Sequence, residues 1–470
     1  MLFKIGGLCF NHQLTHLSLD YMARFFDKQL SLIILIFLMP LFFLPKINLL
    51  TVGSETAGLR IDDLFLLFFG TLLIWAHLLL DKRLYMIEIW VLILTLFGIL
   101  SFASNRFLIS LGYHFLDAKI FYAVRLLEYF LFFYIGTLAF RFHLSKGFIQ
   151  AFFLWNFFLM TLQKLNLAGA ITNLGYEKDV STRVQGIASF PSEMGLLLNL
   201  LFCYMIYDDS YRSKIIQIFP PYYRYFLRKS YLYVLFIVIG IFVIFTGNRI
   251  SLLAHLICFL GKLKQEINWK SIGSFVSLTI AFPLLMGIII YMVIQTDSIY
   301  SRSASLLSIK NIHLAQIVWD KIDLTQDPIS KKLIESDEYD MSWWLRIHKW
   351  IFVTKAFVNH PEVYLQGLGP GFAWSALDGG ILRIIVEYGL IGSLLFFNFF
   401  RSIYKINQQM KWMTISLLIN MIFFDAHLAY KTMSFYLFAA GYCFESKHNH
   451  SLTASSTRAN QLKPELIFFS

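Results

Sequence analysis

Residues 346–396 read RIHKWIFVTKAFVNHPEVYLQGLGPGFAWSALDGGILRIIVEYGLIGSLLF, and the rest of the chain is organised around them. A basic, aromatic, helix-patterned segment runs into His360-Pro361. The glycines Gly367, Gly369 and Gly371 follow, then Asp378, then an apolar helix carrying Glu387, Gly389 and Gly392. Elsewhere continuous hydrophobic segments dominate, and a polar, turn-rich stretch of this size in such a chain marks a functional region.

The chain has 470 residues, of which 57% are hydrophobic, 18% aromatic and only 15% charged. Its mean hydropathy is +0.62. That composition lies far from a soluble domain and identifies an all-α polytopic membrane protein, read as one integral membrane domain over 1–470. A net charge of +11 fits Lys and Arg gathered on cytoplasmic loops, so nucleic acid is set aside as a partner. Cys9, Cys203, Cys258 and Cys443 stand singly, with neither the paired spacing of a disulfide framework nor that of a thiolate metal site.

Hydrophobic runs suited to a hydrocarbon core of roughly 30 Å fall near 30–50, 63–80, 84–102, 120–140, 147–165, 193–207, 230–246, 249–263, 272–295, 380–400, 412–427 and 429–445. They predict about 12 transmembrane helices, because in lipid every backbone polar group must be satisfied within the segment. The runs 193–207 and 249–263 are short for a full crossing. With a cytoplasmic N-terminus, Lys82, Arg83, Arg141, Lys146, Arg212, Lys214, Arg224, Arg228, Lys229, Lys262, Lys264, Lys270, Arg401, Lys405 and Lys411 all fall on cytoplasmic breaks, which satisfies the positive-inside rule. Both termini are then cytoplasmic. The large polar loop 296–379, between the ninth and tenth helices, lies on the outer face.

Against that background the informative cations are on the outer side: Arg183, Arg249 and Arg346, with Arg125 and Arg383 near outer helix ends. An arginine at the rim of a bilayer snorkels, pairs or faces a wet cavity, so several on one side read as an anion site. The bland alternative is local pairing, Arg125 with Glu128 and Arg383 with Glu387. Guanidinium forks match phosphate geometry and stay charged, which suits a diphosphate.

Three blocks, Arg183-Val-Gln-Gly with Phe190-Pro-Ser, Thr246-Gly-Asn-Arg249, and Asn359-His-Pro with Gly367-Leu-Gly and Asp378-Gly-Gly-Ile-Leu followed by Glu387-Tyr-Gly-Leu-Ile-Gly, resemble the O-antigen polymerase and O-antigen ligase superfamily. The resemblance covers roughly residues 180 to 400; the first 170 match only as hydrophobic helices. It implies a C-type glycosyltransferase-like fold in the bacterial cytoplasmic (inner) membrane, acting on an undecaprenyl-diphosphate-linked oligosaccharide at the outer face. It also implies membrane lipids and a chain-length regulator protein as partners. Ligases typically carry His-Asn where this chain has Asp378-Gly379, so the Asp-Gly-Gly form is more similar to the polymerases.

The expected activity is therefore glycosyl transfer without a metal or other cofactor, with Asp378, Arg346, Arg249 and Arg183 as catalytic residues. The arginines would neutralise the departing diphosphate, and Asp378 would orient or deprotonate the acceptor hydroxyl. Arg125, His360, Gly367, Gly369, Gly371, Arg383 and Glu387 are the further substrate-binding candidates. Each has a bland reading: Asp378 as a helix N-cap, His360 as a polar turn residue, the glycines as a plain turn without βαβ context. The tryptophan-rich segment around Trp343, Trp344 and Trp350 reads as an interfacial amphipathic helix over the site. An O-antigen ligase is the near alternative. A transporter or flippase is the distant one, disfavoured because the polar residues cluster at one face and no second copy of 346–396 is found.

Overall fold

The computed structural model describes residues 39–44, 48–51, 58–60, 85–110, 121–142, 145–171, 180–208, 221–266, 309–326, 341–372 and 376–461, with a few isolated positions. Apart from isolated positions, the expected runs 63–80 and 272–295, about half of 30–50, both ends of the chain, Cys9, and residues 296–308, 327–340 and 373–375 of the expected large loop lie outside the described residues.

Eleven α-helices account for most of the described chain: α1 Met86–Ser110, α2 Phe121–Arg141, α3 Ser145–Lys164, α4 Pro191–Ile206, α5 Pro221–Phe245, α6 Arg249–Glu266, α7 Ile309–Lys321, α8 Met341–Val358, α9 Gly380–Tyr404, α10 Gln408–Asn420 and α11 Tyr430–Gln461. Nine of them coincide with expected hydrophobic runs. Three, α1, α2 and α9, are long and apolar enough to cross a membrane; α4 and the apolar part of α5 are shorter apolar helices. The run 30–50 departs from a continuous helix. Pro40 lies in a 3-10 turn, Met39–Phe42, and Asn48–Thr51 forms a strand, β1, paired antiparallel with β2, Gly58–Arg60. Pro40, which lacks a backbone N–H, removes a helical hydrogen bond there.

Helix α4 is the central post. Every residue but Ser192 is buried, as expected of a helix apolar on all sides, and α5, α6, α10 and α11 pack around it. Its first turn is stitched to a neighbour by Glu193, whose carboxylate accepts N–H bonds from Ser189 at 3.0 Å and Lys431 at 2.9 Å. The Lys431 ammonium, also buried, donates to the Leu41 carbonyl at 2.7 Å.

The α2–α11 contact rests on two glycines. A Cβ on Gly136 would run into the Phe438 carbonyl, and one on Gly441 into the Phe133 carbonyl. Small residues on both helices thus let the backbones close, the usual route to affinity between apolar helices in lipid. At the other side of the bundle, α9 packs on α1 and α10.

The segment 296–379, expected as a large loop, holds helices of its own among its described residues. Helices α7 and α8 pack together, and with Val363, Leu368, Phe372, Leu377 and Val386 they form a second apolar cluster separate from the main core. Trp344 is buried in this cluster, while Trp343 and Trp350 face Phe423 at ring distances of 6.2 and 6.0 Å.

Candidate active site at the start of helix α9

Arg346, Lys349 and Trp350 fall at i, i+3 and i+4 on α8, so one face of that helix presents all three. They hold three consecutive residues of the turn before α9. Lys349 Nζ donates to the Ala376 carbonyl at 2.6 Å, and Trp350 Nε1 to the Leu377 carbonyl at 3.0 Å. Arg346 Nε forms an ion pair with Asp378 Oδ2 at 3.3 Å. Asp378 has φ 57°, the left-handed region that Asp tolerates better than most residues. It does not cap α9: Gly379, which has no side chain to cap with, is the N-cap. The carboxylate turns to Arg346 instead, with 39% of its side chain exposed.

Asp425 fixes the turn from below. Its carboxylate accepts the N–H groups of Leu377 at 2.7 Å and Gly379 at 3.1 Å, on either side of Asp378. It also pairs with Arg383 Nη1 at 3.0 Å, while Arg383 Nε lies 3.1 Å from Glu387 Oε1. Arg383 and Glu387 are essentially fully buried, and the guanidinium sits over the Tyr122 ring at 5.3 Å. The local pairing weighed for Arg383 is what the fold contains: the two residues anchor the turn from inside the protein. Arg125 likewise pairs with Glu128, at 3.1 Å.

The glycine run makes its close approach to the chain's own backbone. Helix α9 breaks at Gly389, with φ 62° and ψ −165°, and residues 364–369 fill the break. Leu368 and Gly369 donate to the carbonyls of Val386 and Glu387, and Leu390 and Ile391 donate to those of Tyr364 and Leu365, all at 2.7–3.1 Å. Ser101 of α1 adds its hydroxyl to the carbonyls of Gln366 and Glu387. A side chain on Gly367 or Gly389 would collide with the other strand of this junction. Gly371, at φ 85°, continues the turn towards Phe372.

Arg183 and Arg249 meet at one turn. Arg183 Nε donates to the Thr246 carbonyl at 3.3 Å and its stem packs over Gly247, two residues before Arg249. That turn joins the end of α10: Asn248 donates to Ser251 Oγ, which donates to Asn420 Oδ1, both at 2.7 Å. The next residues, Met421 and Phe423–Asp425, carry the contacts to Ile381, Trp350 and the Asp378 turn. The turn before Arg249 and the Asp378 turn therefore flank the same end of α10. His360 stands apart, with Nδ1 2.7 Å from Glu362 Oε1 on a surface 3-10 turn.

Burial by the crowded turn raises the Asp378 carboxyl above its usual range against the pull of Arg346; Asp425 adds to the rise and Lys349 opposes it. Its open face lets water temper the burial, so the ion pair governs its geometry. The buried Asp425 carboxylate is met by Arg383 and by the two N–H bonds, which offset the cost of its burial. His427 is 4% exposed, and among the described residues neither of its ring nitrogens has a hydrogen-bond partner.

Lys349, Asp425 and His427 were not among the candidates from sequence. Lys349 is concealed among other helical cations, but Asp425 and His427 interrupt an apolar run, where an ionisable residue is a site candidate by default. Cys203, Cys258 and Cys443 are free and buried. Among the described residues no group of three or more His, Cys, Asp or Glu is placed to hold a metal ion. Compared with known proteins, the chain matches no family model and no curated protein.

Proposed function

We propose that the chain is a glycosyltransferase that polymerises polyprenyl-diphosphate-linked oligosaccharide units at the outer face of the bacterial cytoplasmic membrane. The observation that carries the reading is the Arg346–Asp378 pair: a partly exposed carboxylate, raised in pKa, against a cation, in a turn braced from both sides. Arg346 and Lys349 supply positive charge for a departing diphosphate. Asp378 takes the proton of the acceptor hydroxyl as the new glycosidic bond forms and the bond from the anomeric carbon to the diphosphate oxygen breaks. Arg183 and Arg249, at the neighbouring turn, extend the anion site. The resemblance of these blocks to the O-antigen polymerases supports the substrate class, and the series of hydrophobic runs supports a topology of about twelve spans. The broken α9 invites the transporter reading, since carriers coordinate ions at such breaks. Here the N–H and carbonyl groups flanking the break are taken up by residues 364–369, which favours the enzyme.

The test is polymer formation from purified lipid-linked repeat units. Asp378→Asn keeps the shape and removes the base, and is expected to lose activity by on the order of a hundredfold or more. Arg346→Lys keeps the charge but not the planar fork, and is expected to be strongly impaired. Near-normal ladders from a well-folded Asn variant would remove Asp378 from catalysis.

A further inference from the structure

Helices α9 and α10 leave an apolar groove of about 560 Å³ between them, walled by Ile384, Ile385, Phe397 and Phe400 of α9 and by Leu418 and Met421 of α10. Phe397 is 61% exposed. Charge lines the groove at one end only, at Arg401 and Lys405. Two more cations gather there: Lys411 lies 5.6 Å over the Tyr404 ring, and Lys447 Nζ donates to the Lys405 carbonyl at 3.3 Å. Among the described residues none of these four cations has a carboxylate partner; Glu445, the nearest along α11, is engaged by Arg141 at 3.0 Å. On α9 the lining begins at Ile381, and beyond the break at Gly389 it runs from Ser393 to Lys405. At about 1.5 Å per helical residue that second part is about 18 Å, a little over half of a hydrocarbon core of about 30 Å. This part of the groove is about one leaflet deep.

We propose that this groove holds one acyl chain of an anionic phospholipid, with its phosphate on Arg401 and Lys405. The cationic end of the groove lies at the opposite end of α9 from Asp378, and the proposal is independent of the glycosyl-transfer reading. An apolar slot one leaflet deep accepts a single chain, and an uncompensated cation pair at its mouth selects a negative headgroup over a zwitterionic one. A guanidinium beside an ammonium offers a forked and a point donor to the same phosphate.

The test is native mass spectrometry of the full-length protein in mild detergent, titrated with phosphatidylglycerol or phosphatidylcholine of the same acyl chains. One phosphatidylglycerol per chain is expected to be retained in preference to phosphatidylcholine. In R401Q/K405Q, two exposed and conservative changes, that preference should fall by roughly thirtyfold. Leu418→Trp, which fills the groove, should weaken retention of both lipids with the cations intact. Equal retention of the two lipids by the wild type, or an undiminished preference in R401Q/K405Q, would overturn the proposal. So would displacement of phosphatidylglycerol by an equimolar polyprenyl phosphate, which would assign the groove to the isoprenoid instead.

Discussion

Asp425 is the residue whose removal the geometry prices most clearly. Asp425→Ala leaves Arg383 with Glu387 alone and strips the acceptor from the N–H groups of Leu377 and Gly379. Breaking a buried ion pair costs about 3–5 kcal/mol, and each orphaned buried N–H about 1–3 kcal/mol. These losses share one carboxylate and are not additive, and Glu387 still neutralises Arg383, so a total of about 4 kcal/mol is expected, a large share of a typical stability of about 5–15 kcal/mol. Asp425→Asn retains one acceptor oxygen and should lose about half as much. Unfolding of the purified protein in mixed micelles, followed by tryptophan fluorescence because Trp350 bonds to this turn, measures both. Arg383→Met should be at least as damaging, since it strands two buried carboxylates. The triple change Arg383→Met, Glu387→Gln, Asp425→Asn should regain much of that loss by removing every charge. An Asp425→Ala protein within about 1 kcal/mol of wild type would refute the anchoring role, and with it the account of how Asp378 is held.

Two further outcomes follow from the same geometry. Gly389→Ala places a Cβ against Leu365 and Gly367 at a positive φ, and should cost about 3 kcal/mol from left-handed strain and overpacking together; an unchanged melting temperature would contradict the backbone junction. His427→Leu should leave stability within about 1 kcal/mol of wild type, because among the described residues neither ring nitrogen has a partner to lose; a larger loss in the same unfolding assay would contradict an unpaired buried imidazole.

The sequence by itself determined the class and most of the helices. Continuous apolar runs such as 120–140 and 193–207 can satisfy their backbones in lipid only as helices, and that constraint is local. It also exposed the chemistry-bearing turns, since Arg183, Arg249, Arg346 and Asp378 stand out in an apolar chain, and it held the Arg383–Glu387 pair as an i,i+4 possibility. Only the tertiary structure decided which polar groups meet. Asp378 and Arg346 lie 32 residues apart by number (378 − 346 = 32), and their pairing at 3.3 Å depends on how α8 lies across the start of α9. Asp425 reaches the same turn from beyond α10, and the glycines at 367 and 389 serve one junction between a turn and a broken helix. Helical periodicity reports the face a residue occupies, but contacts between segments distant in sequence are set by packing and buried-charge pairing, which carry no local signal.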